Sequence, residues 1–571
     1  MEKQLNISCT TRALIRGSYL STIICALIWT KRGSQSRSHT LLQSMAETSA
    51  NTISVKALVD KASNQIIFIE SDNDFIDVLF SFLTIPMGTI MRLAPNQSVP
   101  LEIGCIKNLY SSVKNMDVKH FRTEACRDML LCPRNVAESH CRNLKPKIDN
   151  GEPTQYFLCS RNYRGECKLS YNKIGSCDCG GSITEEKNLL VSLDGGIFVK
   201  GLARLIIGDN LQVMPPLTLE GLSVFTELGV RNGNTTEELT FNVGSDEVLN
   251  LLICSLVSRT PLTETLLKNK PIRKLSNDNQ GINIEPQIVV DATDPEGNLS
   301  IKLIVSKSKK MVCYAEVGED FVNLLFSFLT IPLGFVVKQM RDCALKGCIN
   351  QLFKSVQDLD DCYLKSDYHK EMLLSPKLVP GFCYENHLLG TEEATYYYAL
   401  GMLSTDKTLI ASRISAAKKT RRSYYGEESA QTSIKSVTVM DPKSHNDQDK
   451  SAEGQGFVGG PAMFTVTDNL IIRPISLMFG LSLLNELKVP LTDIEVKIVH
   501  VRREETPVMA ANCKDSITLK ALVNKDRYEV IFVESEVDFI NALFSFLTIT
   551  MGTLIGLGPS HPVPNGIGAK I

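Results

Sequence analysis

Cys159, Cys167, Cys177 and Cys179 fall within 21 residues, in the run CSRNYRGECKLSYNKIGSCDCGG. Cysteine thiolates are soft donors that hold zinc in a tetrahedron, and four of them fill its coordination shell. Gly180 and Gly181 follow the last of them and would let the backbone fold round a metal. The expected chemistry is a structural zinc site with Cys159, Cys167, Cys177 and Cys179 as ligands. Four protein ligands leave no open position for catalysis. The spacings are not CxxC pairs, and free thiols in a loop between strands are the alternative. Cys132 and Cys141 are nearby alternates.

Other patterns that could do chemistry are weaker. GQGFVG at Gly454–Gly459 matches GxGxxG, but a dinucleotide fingerprint follows a strand and opens a helix. Here the motif ends a polar stretch and precedes a strand pattern. His120, His140, His369, His387 and His500 fall in no HExxH spacing and near no serine-nucleophile motif, so satisfied or exposed histidines are expected. Glu185/Glu186 and Asp360/Asp361 are expected to be solvated. Lys418–Arg422 (KKTRR), with Tyr424 and Tyr425, is a basic–aromatic cluster that could touch nucleic acid, and a solvated loop is the expectation. No catalytic residue and no cofactor-binding residue is assigned.

The elements that must position these residues are written into the chain repeatedly. Asp74–Gly88 reads DFIDVLFSFLTIPMG, and Asp320–Gly334 reads DFVNLLFSFLTIPLG, identical at 11 of 15 positions. Asp538–Gly552 reads DFINALFSFLTITMG, identical to the first at 12 of 15. The upstream flanks repeat too: SVKALVDKASNQIIFIES, SIKLIVSKSKKMVCYAEV and TLKALVNKDRYEVIFVES. Each copy reads as a β-hairpin, with residues 54–60, a polar turn at Lys61–Asn64 and a second run at Ile66–Ile69 in the first. A helix from about Phe75 to Thr84 follows, with Ser71, Asp72 or Asp74 as its N-cap. It is apolar on nearly every face, so it should lie at the centre of a core. Pro86 and Gly88 break it and restart a short second helix.

Downstream, Ile106–Val113 corresponds to Ile349–Val356, Glu124–Pro133 to Asp367–Pro376, and FVKGLARLIIGDNLQVMPP to FVGGPAMFTVTDNLIIRPI. The first unit closes with EELTFNV and a helix over Asp246–Ser258 that echoes the first helix, so each unit reads as two related halves. The counterpart of the Cys-rich loop, TYYYALGMLSTDKT, has no Cys, so any metal belongs to the first unit alone. The fold class expected is α+β: tandem repeated modules, each built of β-hairpins packed with buried apolar helices.

The boundaries expected are an N-terminal extension at 1–44, a first unit with the Cys-rich loop at 54–268, a linker at 269–298, a second unit at 299–504 and the truncated start of a third at 505–571. The second unit lacks its closing helix and carries a polar stretch, 404–456, expected to be a flexible insert. The extension has no acidic residue between Glu2 and Glu47, and Arg12, Arg16, Lys31, Arg32 and Arg37 sit among Ser and Thr. That composition suits an organelle transit peptide, or an untranslated stretch before a true start at Met45.

Taken together, the KALV…DF-LFSFLT-MG element, the MLL-P segment, the CxCG and the FVKG…DNL-V-P element resemble the plant family called domain of unknown function 674. The resemblance covers nearly all of residues 54–560. It implies an architecture of two such units and a plant source, and it implies no mechanism. The truncated second unit, the third half-copy and the N-terminal extension depart from the family pattern.

The chain has 571 residues, 43% hydrophobic and 22% charged, with a formal net charge of −2. A packed core is within reach, and no basic bias favours a phosphate backbone. The apolar stretch Ser18–Thr30 is shorter than the ~20 residues a spanning helix needs, so no membrane partner is expected. Seventeen Cys, an odd number, some inside apolar stretches as Cys254 is in LLICSLV, point to reduced thiols in the cytoplasm or nucleus. Organelle import remains open if residues 1–44 belong to the mature chain. The function expected is a non-enzymatic interaction or structural protein with an unidentified protein partner and a structural zinc in the first unit. Two alternatives stand beside it: an enzyme with a site between the halves of a unit, and a nucleic-acid binder using the Cys loop and KKTRR.

Overall fold

The structure is a computed structural model, and it describes residues 52–96, 105–161, 167–173, 177, 179–192, 195–201, 203–216, 235–267, 299–309, 311–340, 347–383, 390–399, 401–420, 434–444, 456–460, 462–501, 519–524 and 529–535. The description concerns the compact unit Ser54–Ile571. The N-terminal extension and the third copy of the apolar helix lie outside the described residues.

Strands β1 (Ile53–Asp60) and β2 (Gln65–Ser71) form the expected hairpin. In β1 burial alternates with the strand period, Val55, Ala57 and Val59 facing the core. Asp72 caps helix α1 (Asn73–Ser81), its carboxylate accepting the Asp74 N–H at 3.3 Å. Phe75, Ile76, Val78, Leu79 and Phe80 are all fully buried, so this helix is core on nearly every side. A 3₁₀ turn at Phe82–Thr84 and Pro86 lead into the short α2 (Met87–Leu93). The chain continues through α3 (Ile106–Asn115), α4 (Glu124–Leu131), α5 (Glu138–Cys141), β3 (Tyr156–Cys159), β4 (Leu169–Ser170), β5 (Ile183–Lys187), β6 (Leu205–Gly208), β7 (Val213–Met214) and β8 (Thr236–Val243). Helices α6 (Ser245–Val257) and α7 (Pro261–Leu266) follow, and α6 is buried along most of its length.

The second segment follows the same plan. It runs β9 (Leu299–Ser306), β10 (Met311–Gly318), α8 (Glu319–Ser327), α9 (Leu333–Met340), α10 (Ile349–Asp358) and α11 (Asp367–Leu374). Then come β11 (Tyr396–Ala399), β12 (Met402–Ser404), α12 (Lys407–Thr420), β13 (Lys435–Val437), β14 (Met463–Thr467), β15 (Ile472–Pro474), α13 (Leu477–Glu486) and β16 (Ile494–Val501). The stretch 404–456, expected to be flexible, supplies α12 and β13. Ile410 and Ile414 of α12 are buried against Ala399, so apolar residues at helical spacing in a polar stretch are enough to dock it.

Five strands form one sheet in the order β7-β6-β2-β1-β8, and β15-β14-β10-β9-β16 take the same order in a second. The second sheet is extended by the hairpin β17 (Leu519–Asn524) and β18 (Glu529–Ser535), with β18 running parallel to β16. All three hairpins slip register at corresponding places, between Leu58 and Val59, between Val312 and Tyr314, and between Leu522 and Val523. A bulge there lets neighbouring residues Ile66 and Ile67 both be buried.

The two segments interlock. Pro86 and Pro332 form an antiparallel bridge, the Met87 N–H bonding Ile331 O and the Leu333 N–H bonding Ile85 O, both at 2.9 Å. A Cβ on Gly88 would lie 3.0 Å from Leu329 O, and one on Gly334 would lie 2.8 Å from Leu83 O, so glycine is what permits this approach. Helix α3 of the first segment serves the second sheet, Ser112 Oγ accepting the Ile472 N–H at 2.9 Å. Helix α10 of the second serves the first, Ser355 Oγ accepting the Val213 N–H at 2.8 Å. Each sheet therefore completes its hydrogen bonding with a helix from the other segment.

Candidate metal centre

Two small antiparallel sheets, β4-β3-β5 and β12-β11-β13, lie beside each other, joined by the bridges Leu169–Val439 and Leu189–Leu403. Tyr156 of one and Tyr396 of the other meet edge to face, ring centroids 5.7 Å apart. Three short strands bury little apolar area, so each sheet needs something more to hold its hairpin. In the second sheet Ala399 of β11 pairs with Met402 of β12, and α12 lays Ile410 and Ile414 over Ala399. The first sheet has no such helix among the described residues. Its apolar cluster is Phe157, Cys159, Cys177 and Ile183, with Met440 from the second segment and Cys167 packed against it.

Cys159 ends β3, Cys167 precedes β4, and Cys177 and Cys179 sit on the turn that feeds β5. The four sulfur atoms all lie within 4.8 Å of one another. Cys159 and Cys179 are 3.4 Å apart, and Cys167 and Cys179 are 3.6 Å apart. A tetrahedron with bonds of about 2.3 Å has edges of about 3.8 Å, and a disulfide measures about 2.05 Å. The sulfurs are therefore not joined as disulfides, and they lie close enough to share an ion.

The backbone is shaped to the sulfur atoms. The Gly180 N–H bonds Cys177 O at 2.7 Å and the Cys177 N–H bonds Gly181 O at 2.8 Å, closing a tight turn in which Gly180 has φ +75°. A Cβ on Gly181 would lie 2.5 Å from Cys159 Sγ. The Arg161 N–H points at Cys159 Sγ at 3.4 Å. The Gly181 N–H, and then the Cys159 thiol, bring the exposed Cys179 thiol down to about 7. Burial pushes the Cys159 and Cys167 thiols up instead. Amide hydrogens directed at sulfur favour the thiolate that a metal requires. This donor set fits zinc: four sulfurs within 4.8 Å of one another in a cradle shaped by glycine.

Cys132 and Cys141 lie outside the cluster. Cys132 is exposed, and Cys141 is 3.9 Å from Thr84 Oγ1. Lys418–Thr420 fall in the last turn of α12, and Arg421, Arg422, Tyr424 and Tyr425 are outside the described residues. Glu185 pairs with Lys187 and Asp361 with Lys370, all surface contacts. The described part of GQGFVG opens no helix. A Cβ on Gly456 would fall 2.0 Å from Asn323 Nδ2, and the Val458 N–H bonds Asn323 Oδ1 at 2.9 Å. The glycine lets the backbone wrap a polar side chain of α8.

The first segment makes the same wrap round Asp77, a buried carboxylate absent from the sequence reading. It accepts the N–H groups of Ile197, Phe198 and Val199 at 2.6, 2.8 and 2.9 Å. Burial raises its carboxyl to about 6 against the pull of those three bonds. The signal was an acid or amide, Asp77 or Asn323, at one position of an otherwise apolar helix. Also unforeseen was the contact of buried His140 with buried His369, ring centroids 5.5 Å apart.

Fold and site together describe an α+β protein of two interlocked segments, one of them carrying a closed set of four thiols. The chain belongs to the family described as Protein of unknown function (DUF674), whose model matches residues 49–504 and again 512–568. No curated protein and no solved structure matches the chain.

Proposed function

We propose that this protein is a non-enzymatic structural or interaction protein whose first segment is clipped by one structural zinc ion. Cys159, Cys167, Cys177 and Cys179 would hold the ion. Bound there, it supplies a cross-link between β3 and the turns before β4 and β5. The observation that carries the reading is a substitution of means. Where the second small sheet is held by two buried isoleucines of a largely polar helix, the first presents four sulfurs within 4.8 Å of one another in a glycine cradle. A set of four thiolates is coordinatively full, which supports a structural over a catalytic role. Thiols kept free for a metal suit a reducing compartment, the cytoplasm or nucleus.

The full chain, purified from zinc-supplemented cells, should carry about one zinc equivalent by elemental analysis. Cys177→Ser should lose most of it and lower the melting temperature by several degrees, because metal binding and local folding are coupled. Metal-free protein that melts as the loaded protein does would end the proposal.

A further inference from the structure

A second site lies away from the cysteines. The N-terminal turn of α1, the segment after α5 and the glycine turn at 195–197 enclose a cavity of about 240 Å³. Its floor is polar. Asp77 there is fully engaged by its three backbone N–H groups, so it shapes the cavity without being free to bind. His140 is only 5% exposed. One ring nitrogen lies 3.4 Å from Ser139 Oγ, and the other has no hydrogen-bond partner among the described residues. Burial, and then the neighbouring His369, keep this ring neutral. That nitrogen opens on the cavity, where water or a ligand can meet it.

The rim carries opposite charges that are not spent on each other. Asp74 gives one oxygen to the Asn73 amide at 2.8 Å and keeps the other open. The Lys145 ammonium and the Asn143 amide make no hydrogen bond or ion pair among the described residues. Burial, and then the neighbouring Asp72, push the Asp74 carboxyl up, and the Asn73 amide and the Lys145 charge pull it partly back. A ligand with a single charge would meet one of these groups as a like charge. A zwitterion meets both as opposites. The volume, below the usual range for drug-sized ligands, restricts it to a small molecule.

We propose that this cavity binds a free α-amino acid, its ammonium at Asp74, its carboxylate at Lys145 and Asn143, and its side chain toward the apolar wall at Leu144 and Val191. The site shares no residue with the cysteine cluster, so it stands or falls apart from the zinc proposal.

The test is titration calorimetry on the full chain with each of the common amino acids, then with the matching amine lacking the carboxylate and the matching acid lacking the amine. At least one amino acid should bind with millimolar or better affinity, and its amine and acid should each bind about tenfold more weakly or not at all. D74N and K145M change exposed rim residues; each should weaken binding about tenfold with an unchanged melting temperature. The proposal is overturned if no amino acid binds at about 10 mM, if the amine or the acid binds as well as the zwitterion, or if both variants bind like the parent.

Discussion

Phe80 shows how a single residue carries the interior. It is fully buried in α1, on a helix whose other apolar residues are buried too, so no face turns a substituted side chain to water. Phe80→Asp would place an unpaired carboxylate there, at a cost of several kcal/mol, on the order of the whole stability of a domain. The expected result is an insoluble chain, or one without a cooperative melting transition by circular dichroism. A native-like variant would show that the helix is not core. Asp77, one turn before Phe80, marks the opposite case: it is tolerated because three amide hydrogens meet its carboxylate at 2.6–2.9 Å.

Between elements, the contact of α5 with α11 builds in a response to acid. His140 and His369 are both buried, and burial lowers them to about 3 and about 4. Lys365 also pushes both down, and Asp406 pulls both up. In the unfolded chain each would take a proton near pH 6.5. Below that pH the unfolded state binds more protons than the folded one, so stability is lost as pH falls from about 6.5 toward 4. Replacing both rings by Gln should make that loss smaller, by on the order of 5 kcal/mol between pH 7 and 4.5, measured by urea unfolding. Equal losses in parent and variant would mean that the rings take up protons without unfolding.

The two segments act as one body through exchanged parts. Ser112 and Ser355 serve the opposite sheets, the Arg122 N–H bonds Phe457 O, the Lys365 N–H bonds Phe198 O, and the Pro86–Pro332 bridge closes the centre. Severed between residues 268 and 299, each half would expose these groups and the apolar surface beneath them. Residues 45–268 and 299–571 made separately should aggregate, and made together should elute as a one-to-one complex in size-exclusion chromatography. A half that is monomeric and unfolds cooperatively alone would refute the exchange as a requirement for folding.

Local structure was legible from residue order. The alternation in ISVKALVD, a cap among Ser71, Asp72 and Asp74, the apolar run FIDVLF and the stop at Pro86 each act over a few residues, where period and propensity decide the outcome. The gathering of the four cysteines was legible too, because thiols close together in the chain can meet through short local turns. What remained hidden depends on residues far apart in the chain. The docking of α12 onto Ala399, the wrap of residues 197–199 round Asp77, the meeting of His140 with His369 and the exchange of helices between sheets join positions up to about 360 residues apart. Sequence determined which pieces would form and which faces they had to bury. Only the tertiary structure decided which segment supplied the covering surface, because burial asks for any complementary apolar face and carries no address.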